Sequence, residues 1–485
     1  MAQLTLTLFS LDPHQLHNKT SAQLFAVLLP QLAVTRPYVN AAAGALGAAY
    51  DKCILRRAHH QDDKLITRLY LSALRQVQDE LQGPEPEVVP LLIAALLLAA
   101  AESVQQKQRD ALCHLLGAFS MITSPKSSLA TSPGLFARNG TVEGLKSVQD
   151  VIYIGDYHVS MFAWGRSPLL PPLPVTTQML YPACIDDLTA GHDALQQWGL
   201  HFIAKALEPE WEERIDFPQS LTVQQDYLIA WLKRWLRTYT SLFDNPSLRS
   251  SPHQTPHFRI LKAQTLTMFV AVSNVKPPTQ VTYDAYAPQF EDIIRCAEYV
   301  LSPTDPTNSS VLNRPLLPYS PLPGIIHPLF FTARKYRDSV SRRRAIHLLR
   351  QAGIEGPFHG DLEAHVAARI VEIEEDRRPF KSVLAKAEVL SASDIVDRNR
   401  VYMCWTLDYS AQDGAKRHKG DMARRLMKFS RRRRLAPVSR STQTPADALD
   451  VGDGTLAHNL GVKVEPGGYE VRDEVNMWEV WEEVL

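Results

Sequence analysis

The chain has 485 residues, 45% of them hydrophobic and 21% charged, an ordinary globular composition that is long enough to bury a large core and, on length alone, to form about three domains. Lys plus Arg and Asp plus Glu number 52 each, which excludes the overall cationic field of a dedicated nucleic-acid binder and makes any such function local. The five cysteines, Cys53, Cys113, Cys184, Cys296 and Cys404, are too widely spaced for a disulfide framework or a metal-ligand set, as in a reducing compartment.

The opening MAQLTLTLFSLDPHQLHN lacks the basic start and continuous apolar core of a secretory signal. Helical patterns then follow one another. Residues 20–32 and 37–54 are rich in Ala and Leu, with Pro37 placed to begin the second. Residues 62–81 are the cleanest amphipathic pattern. Ile66, Leu69, Ala73, Leu74, Val77 and Leu81 form the stripe, and Gly83 with Pro84 stops it. Residues 86–104 are almost wholly apolar; the run LLIAALLLAAA is well short of the ~20 residues that span a bilayer and reads as a buried core helix. Residues 109–122 close a helical hairpin, so an antiparallel helical layer is expected. A Ser/Pro/Gly-rich loop covers 124–143, and a helix follows at 145–164. PLLPPLP at 168–174 is extended, either a PxxP ligand or a loop between helices. Helices resume at 184–207, 223–243, 256–272 and 286–301, before a Pro-rich loop through 303–321.

The strongest local signal is PLPGIIHPLFFTARKYRDSVSRRRAIHLLRQAG, residues 321–353. Ile325, Ile326, Leu329, Phe330 and Ala333 recur at helical spacing, and Ala345, Ile346, Leu348, Leu349 and Ala352 do the same before Gly353. Between them Arg334, Lys335, Arg337, Arg342, Arg343 and Arg344 form a cationic elbow. Such a run reads as a last helical turn whose carbonyls favour positive charge, followed by a solvated connector. Another helix is expected at 361–377, and RVYMCWTLD at 400–408 alternates as a strand would, which predicts a small β ribbon.

Charge separates sharply near the C-terminus. Residues 416–440 contain eleven basic residues and one acidic, whereas 445–485 contain ten acidic and two basic. Lys416, Arg417, Lys419, Arg424, Arg425, Lys428, Arg431, Arg432, Arg433 and Arg434 have the form of a two-part nuclear localisation signal; a solvated basic strand is the other reading. Phosphate contact with DNA is a third, which would supply affinity without base readout. The tail NMWEVWEEVL interleaves acidic residues with Trp478 and Trp481, as in a transactivation segment that folds on a partner, or in a terminal helix or strand that docks on the body.

Catalytic chemistry is not evident. His59, His60, Asp62 and Asp63 precede a helix and read more simply as its cap and first turn than as metal ligands. His201 and His347 lie in helical patterns as partly buried histidines, and Trp231, Trp235 and Leu228 form a core stripe. No GxGxxG, GxxxxGK[ST], HExxH or GxSxG is present.

Several stretches resemble the regulatory domain of fungal zinc-cluster, Zn(2)-Cys(6), transcription factors. LFFTARKYRDSVSRRRAIHLL is similar to the family's C-terminal signature, and residues 29–50, LPQLAVTRPYVNAAAGALGAAY, to its opening segment. LYLSALRQVQDEL, VVPLLIAALLLAAAESVQ and DALCHLLGAFSMI follow in the family's order. The resemblance covers about 25–430 in pieces, most specifically 29–122 and 322–375. It implies an all-α fold: a multi-helix regulatory domain of stacked antiparallel helices, with a small C-terminal β ribbon. The expected organisation is an N-terminal segment at 1–19 and a helical domain at 20–380, with loops near 123–144, 165–183 and 303–321. The ribbon with its basic segment follows at 381–440, and an acidic tail at 441–485. The resemblance also implies regulation of RNA polymerase II transcription in the nucleus, without enzymatic activity. Partners would be proteins of the transcription machinery or a related factor, with DNA touched indirectly or non-specifically, no membrane association, and a homodimer allowed. The family's six-cysteine cluster, CxxCRxRKxKC and its second half, does not occur in this sequence. No cofactor is therefore expected in this chain, and zinc only with such an N-terminal cluster. A helical small-molecule-binding or enzyme module using a pocket between helices is the alternative.

Overall fold

The computed structural model describes residues 24–55, 62–84, 86–123, 142–162, 167–172, 176–182, 184–207, 218–244, 255–275, 280–302, 319–320, 322–375, 395, 399–401, 403–407, 426–432 and 478–484. The fold is all-α with small β elements. A single π-helical turn at Leu24–Leu28 leads into α1, Leu29–Thr35, and Arg36 breaks the helix before α2, Pro37–Cys53. Both helices carry a proline in the first turn, where its missing N–H costs nothing. Helix α2 buries Ala41, Ala42, Ala43, Ala45, Ala48 and Ala49, and these small side chains let its backbone come close to α3, Asp62–Leu81, and α4, Val88–Val104.

The stripe of α3 holds at its start and fades toward its end. Ile66, Leu69 and Ala73 are buried, while Leu81 is 47% exposed. Helix α4 is apolar on nearly every side because α2 and α5, Gln108–Thr123, pack on it. Each of its buried Leu and Ile side chains contributes ~1.5–3 kcal/mol of burial. These residues, with Tyr319 and Ile354, form one hydrophobic cluster. A second cluster is built by α8 (Ile185–Ala206), α9 (Gln219–Asp244), α10 (Thr255–Ser273), α11 (Ala287–Leu301), α12 (Ile326–Lys335), α13 (Ser339–Leu349) and α14 (Gly360–Glu374). Helix α6, Val142–Phe162, joins the two. Its Val148, Val151, Ile152 and Val159 belong to the first cluster, and its Ile154, Tyr157 and Met161 to the second. A short helix α7, Thr177–Leu180, is capped by the Thr176 hydroxyl, which accepts from the Met179 N–H.

In the proline-rich stretch Pro168 and Leu170 are buried, while Leu169 and Pro171 are exposed. Leu170 is buried, its N–H donates to Asp156 Oδ2 at 2.8 Å, and its carbonyl accepts from His201 Nε2 at 3.0 Å. Trp235 is likewise core, 2% exposed, with its indole N–H on the Leu188 carbonyl at 2.8 Å.

Strand structure extends beyond the expected ribbon. A hairpin between α13 and α14 pairs β1, Ile354–Glu355, with β2, Phe358–His359, around Gly356 at φ 51°. That left-handed conformation suits glycine, and a following proline ends the turn. The ribbon is three-stranded, in the order β3 (Met403–Leu407), β4 (Leu426–Arg432), β5 (Trp478–Val484), all antiparallel.

Candidate functional site

The cationic elbow is not the solvated connector that its charge run suggests. Arg334, Lys335 and Arg337 are at most 6% exposed, and Arg342 is fully buried. The acidic end of α14 accounts for this. Arg342 Nη2 donates to Glu374 Oε2 at 2.6 Å, and Arg400 Nη1 donates to the same oxygen at 2.8 Å. The Val401 N–H donates to Glu374 Oε1 at 2.9 Å, so one buried carboxylate gathers two guanidiniums and a backbone donor. Arg343 pairs with Glu375, which also accepts from Ser339 Oγ, and Arg344 pairs with Glu298 and Glu291 on α11. Burial alone would raise the Glu375 carboxyl, but hydrogen bonds from Arg343 and Ser339 and the Arg342 charge hold it below its ordinary value.

Arg400 also closes the C-terminal end of α12. Its Nη2 donates to the carbonyls of Arg334 at 2.8 Å and Lys335 at 3.0 Å, where the helix leaves acceptors unpaired. Arg337 grips Asp284 through two nitrogens and reaches the Ile395 carbonyl, and Lys335 Nζ donates to Gln280 Oε1 at 2.9 Å. The elbow thus fastens α11, α12, α13, α14 and the chain leading to β3 to one another. Its chemistry is structural.

The N-terminal end of α12 is held by another buried carboxylate. Glu355, in β1, accepts from the N–H groups of Gly324 at 2.8 Å, Ile325 at 2.7 Å and Ile326 at 3.1 Å. Burial pushes its carboxyl up to about 7, against three backbone donors that favour the anion. A Cβ on Gly324 would stand 2.4 Å from Glu355 Oε1, so any other residue there would force the carboxylate to shift.

Of the candidate localisation residues, Lys428, Arg431 and Arg432 lie in β4. Lys416, Arg417, Lys419, Arg424, Arg425, Arg433 and Arg434 lie outside the described residues. Strand β4 is central, and its Cα register sets Lys428 opposite Glu482 and Arg431 opposite Glu479 of β5. The basic strand and the acidic tail therefore meet as neighbours, with Phe429 opposite Trp481 between those pairs. The described part of NMWEVWEEVL forms strand β5, paired with β4.

His59 and His60 lie outside the described residues; Asp63 is exposed and pairs with Lys52 of α2. His347 is exposed and meets Gln351 Nε2 at 2.8 Å. Among the described residues no group of three or more His, Cys, Asp or Glu is placed to hold a metal ion, and no helix is long and apolar enough to cross a membrane.

A cavity, unanticipated in the sequence beyond the general idea of an interhelical pocket, opens among α1, α2, α4, α5, α6 and the β1–β2 turn. It encloses about 940 Å³ including its mouth, of which about 70 Å³ is free to the centre of a water-sized sphere. Two other interior voids measure about 10 and 20 Å³ in that way, so this one alone of the three has room for more than a water or two. Leu29, Leu46, Ile93, Leu97, Leu115 and Val151 supply its aliphatic wall, and Ser103, His158 and Tyr319 its polar atoms. His158, fully buried, is pushed down to about 3 by burial and by the nearby His327, so it is neutral near pH 7. Among the described residues its lining holds no Asp, Glu, Lys, Arg or Cys.

Comparison of the chain with protein-family models, with curated proteins and with solved structures found no match.

Proposed function

We propose that this chain is a transcription-regulator-like protein that acts in the nucleus through protein partners. The observation that carries this reading is that its resembling segments fold as packed helices of the two hydrophobic clusters. LPQLAVTRPYVNAAAGALGAAY and the three segments after it fold as α1 to α5, and LFFTARKYRDSVSRRRAIHLL folds as α12 and α13 with every arginine of RRR on a carboxylate. In this reading the basic segment at 416–434 carries the chain into the nucleus. Changing Arg431, Arg432, Arg433 and Arg434 together to Ala is expected to leave a tagged protein in the cytoplasm, and unchanged nuclear accumulation would contradict the assignment.

The cavity favours a second reading, a helical module that binds a small molecule. Among the described residues its lining is mainly aliphatic, with no carboxylate, amine or thiol, which supports binding over catalysis. Both readings are compatible in one protein.

A further inference from the structure

We propose that the cavity among α1, α2, α4, α5 and α6 is a binding site for an uncharged, largely hydrocarbon small molecule bearing one hydrogen-bonding group. This goes beyond the regulatory reading and does not depend on it.

Three observations carry the proposal. The first is enclosure: Leu29, Leu46, Ile93, Leu97 and Val151 are each at most 5% exposed although they border empty space. Void of that size within an apolar wall forfeits contact that a ligand would restore, because a close-packed interior loses attraction wherever atoms have no neighbour.

The second is the character of the lining. Among the described residues that line it none is ionised, so a carboxylate or ammonium ligand would be stripped of water with no counter-charge from them. Neutral His158 does not supply one.

The third is how the polar groups are gathered. The β1–β2 hairpin brings them to one wall. Its Gly356 N–H donates to the Ser320 carbonyl, next to Tyr319, at 2.8 Å. The His158 ring lies 5.1 Å from that of Phe358, and His359 Nε2 donates to the Ser103 carbonyl at 2.8 Å. A Cβ on Gly356 would meet His158 Nδ1 at 3.1 Å, so the turn closes directly over the imidazole. A ligand would lay its hydrocarbon skeleton along α2 and α4 and turn its polar group to the hairpin. About 70 Å³ is free to the centre of a water-sized sphere, room for the end of such a ligand, and the rest of a longer hydrocarbon would lie in the mouth.

The test titrates the full chain at pH 8 with N-phenyl-1-naphthylamine, an uncharged dye that brightens in apolar surroundings, and then adds competitors. The expected result is saturable dye binding, displaced by 1-decanol at concentrations about tenfold or more below those needed for decanoate, which has the same chain length but is ionised. Ala100→Leu, which fills the α4 wall, should abolish dye binding while the helical circular dichroism and melting temperature are kept or raised. Gly155→Ala is the second variant should the first not fold; its added carbon meets only Phe119 ring carbons, at 3.8 Å, and it should weaken the dye several-fold. The proposal is overturned if the wild-type chain does not bind the dye, if decanol and decanoate compete equally, or if the folded filled variants bind as the wild type does. Binding that arises only after residues 1–23 are removed would also overturn it, by identifying the chain's own segment as the occupant.

Discussion

Glu374→Gln is the sharpest test of the buried ionic knot. The substitution keeps the side-chain shape and one carbonyl oxygen but removes the charge that, among the described residues, both Arg342 and Arg400 contact directly, and all three residues are fully buried. Arg342 keeps Glu375 at 3.9 Å, whereas Arg400 is left with the Arg334 and Lys335 carbonyls. Removing one partner of a buried ionic group costs about 3–5 kcal/mol, because a desolvated charge stays behind. That is a large part of the ~5–15 kcal/mol by which a domain is stable. Urea unfolding followed by tryptophan fluorescence and circular dichroism should show the loss. Glu375→Gln, beside the partly exposed Arg343, should cost less. Replacing Arg342 and Arg400 with Met and Glu374 with Leu together should recover only part of the stability, since no charge is left to desolvate but the Val401 N–H and the Arg334 and Lys335 carbonyls lose their partners. A loss below about 1 kcal/mol for Glu374→Gln, or one no larger than that for Glu375→Gln, would refute the reasoning.

Gly324→Ala should destabilise by about 2–4 kcal/mol in thermal melts, because its Cβ displaces Glu355 from three N–H donors; an unchanged melt would show that the carboxylate does not cap α12. Gly117→Ala should stabilise by about 0.5–1 kcal/mol, since the residue is exposed within α5 and an added Cβ meets nothing within 4 Å; a lower melting temperature would contradict that. Acid should unfold the protein through His158 and His327. Both are pushed down to about 3 by burial from an ordinary 6.5, so the stability of their neutral forms is present above pH 6.5 and lost as pH falls toward 3, by up to about 5 kcal/mol each. Glu355 works in the opposite sense, its raised value adding stability as pH falls from about 7 to 4.5, so the loss should steepen below pH 4.5. A melting temperature constant between pH 6.5 and 4, or a His327→Asn variant with the same acid slope, would contradict this account.

The helices were legible because their signals are local. The apolar period of 62–81, the proline that opens α2 and the Gly-Pro stop at 83–84 all act within one or two turns, and α3 begins and ends where they place it. The elbow was misread for the opposite reason. RRR looks like a solvated face until Glu374 and Glu375, some thirty positions away, are seen to lie on it. A signal was available in the acidic run EIEED at 372–376, whose charge matches RRR, but the pairing follows from tertiary packing of α14 on α13. Arg400 is harder still, because nothing in RNRVYMC marks a fully buried arginine. The hairpin at 354–359 could have been sought in the turn residues of IEGPFH, though strands of two residues carry no period. The cavity has no linear signature, since its wall is contributed by five helices and a turn. The ribbon was expected at its first two strands, while β5 comes from a tail whose composition fitted a docked strand or a partner-binding segment alike.

The proposed function is tested most directly by tethering. The full chain, fused to an unrelated sequence-specific DNA-binding domain, is brought to a reporter promoter in fungal cells, with the DNA-binding domain alone as the reference. Regulation through protein partners requires that reporter output change, up or down, and that the change weaken with Glu374→Gln, which loosens the resembling segments. Output equal to the reference, from a fusion shown to be folded and present in the nucleus, would contradict the regulatory reading.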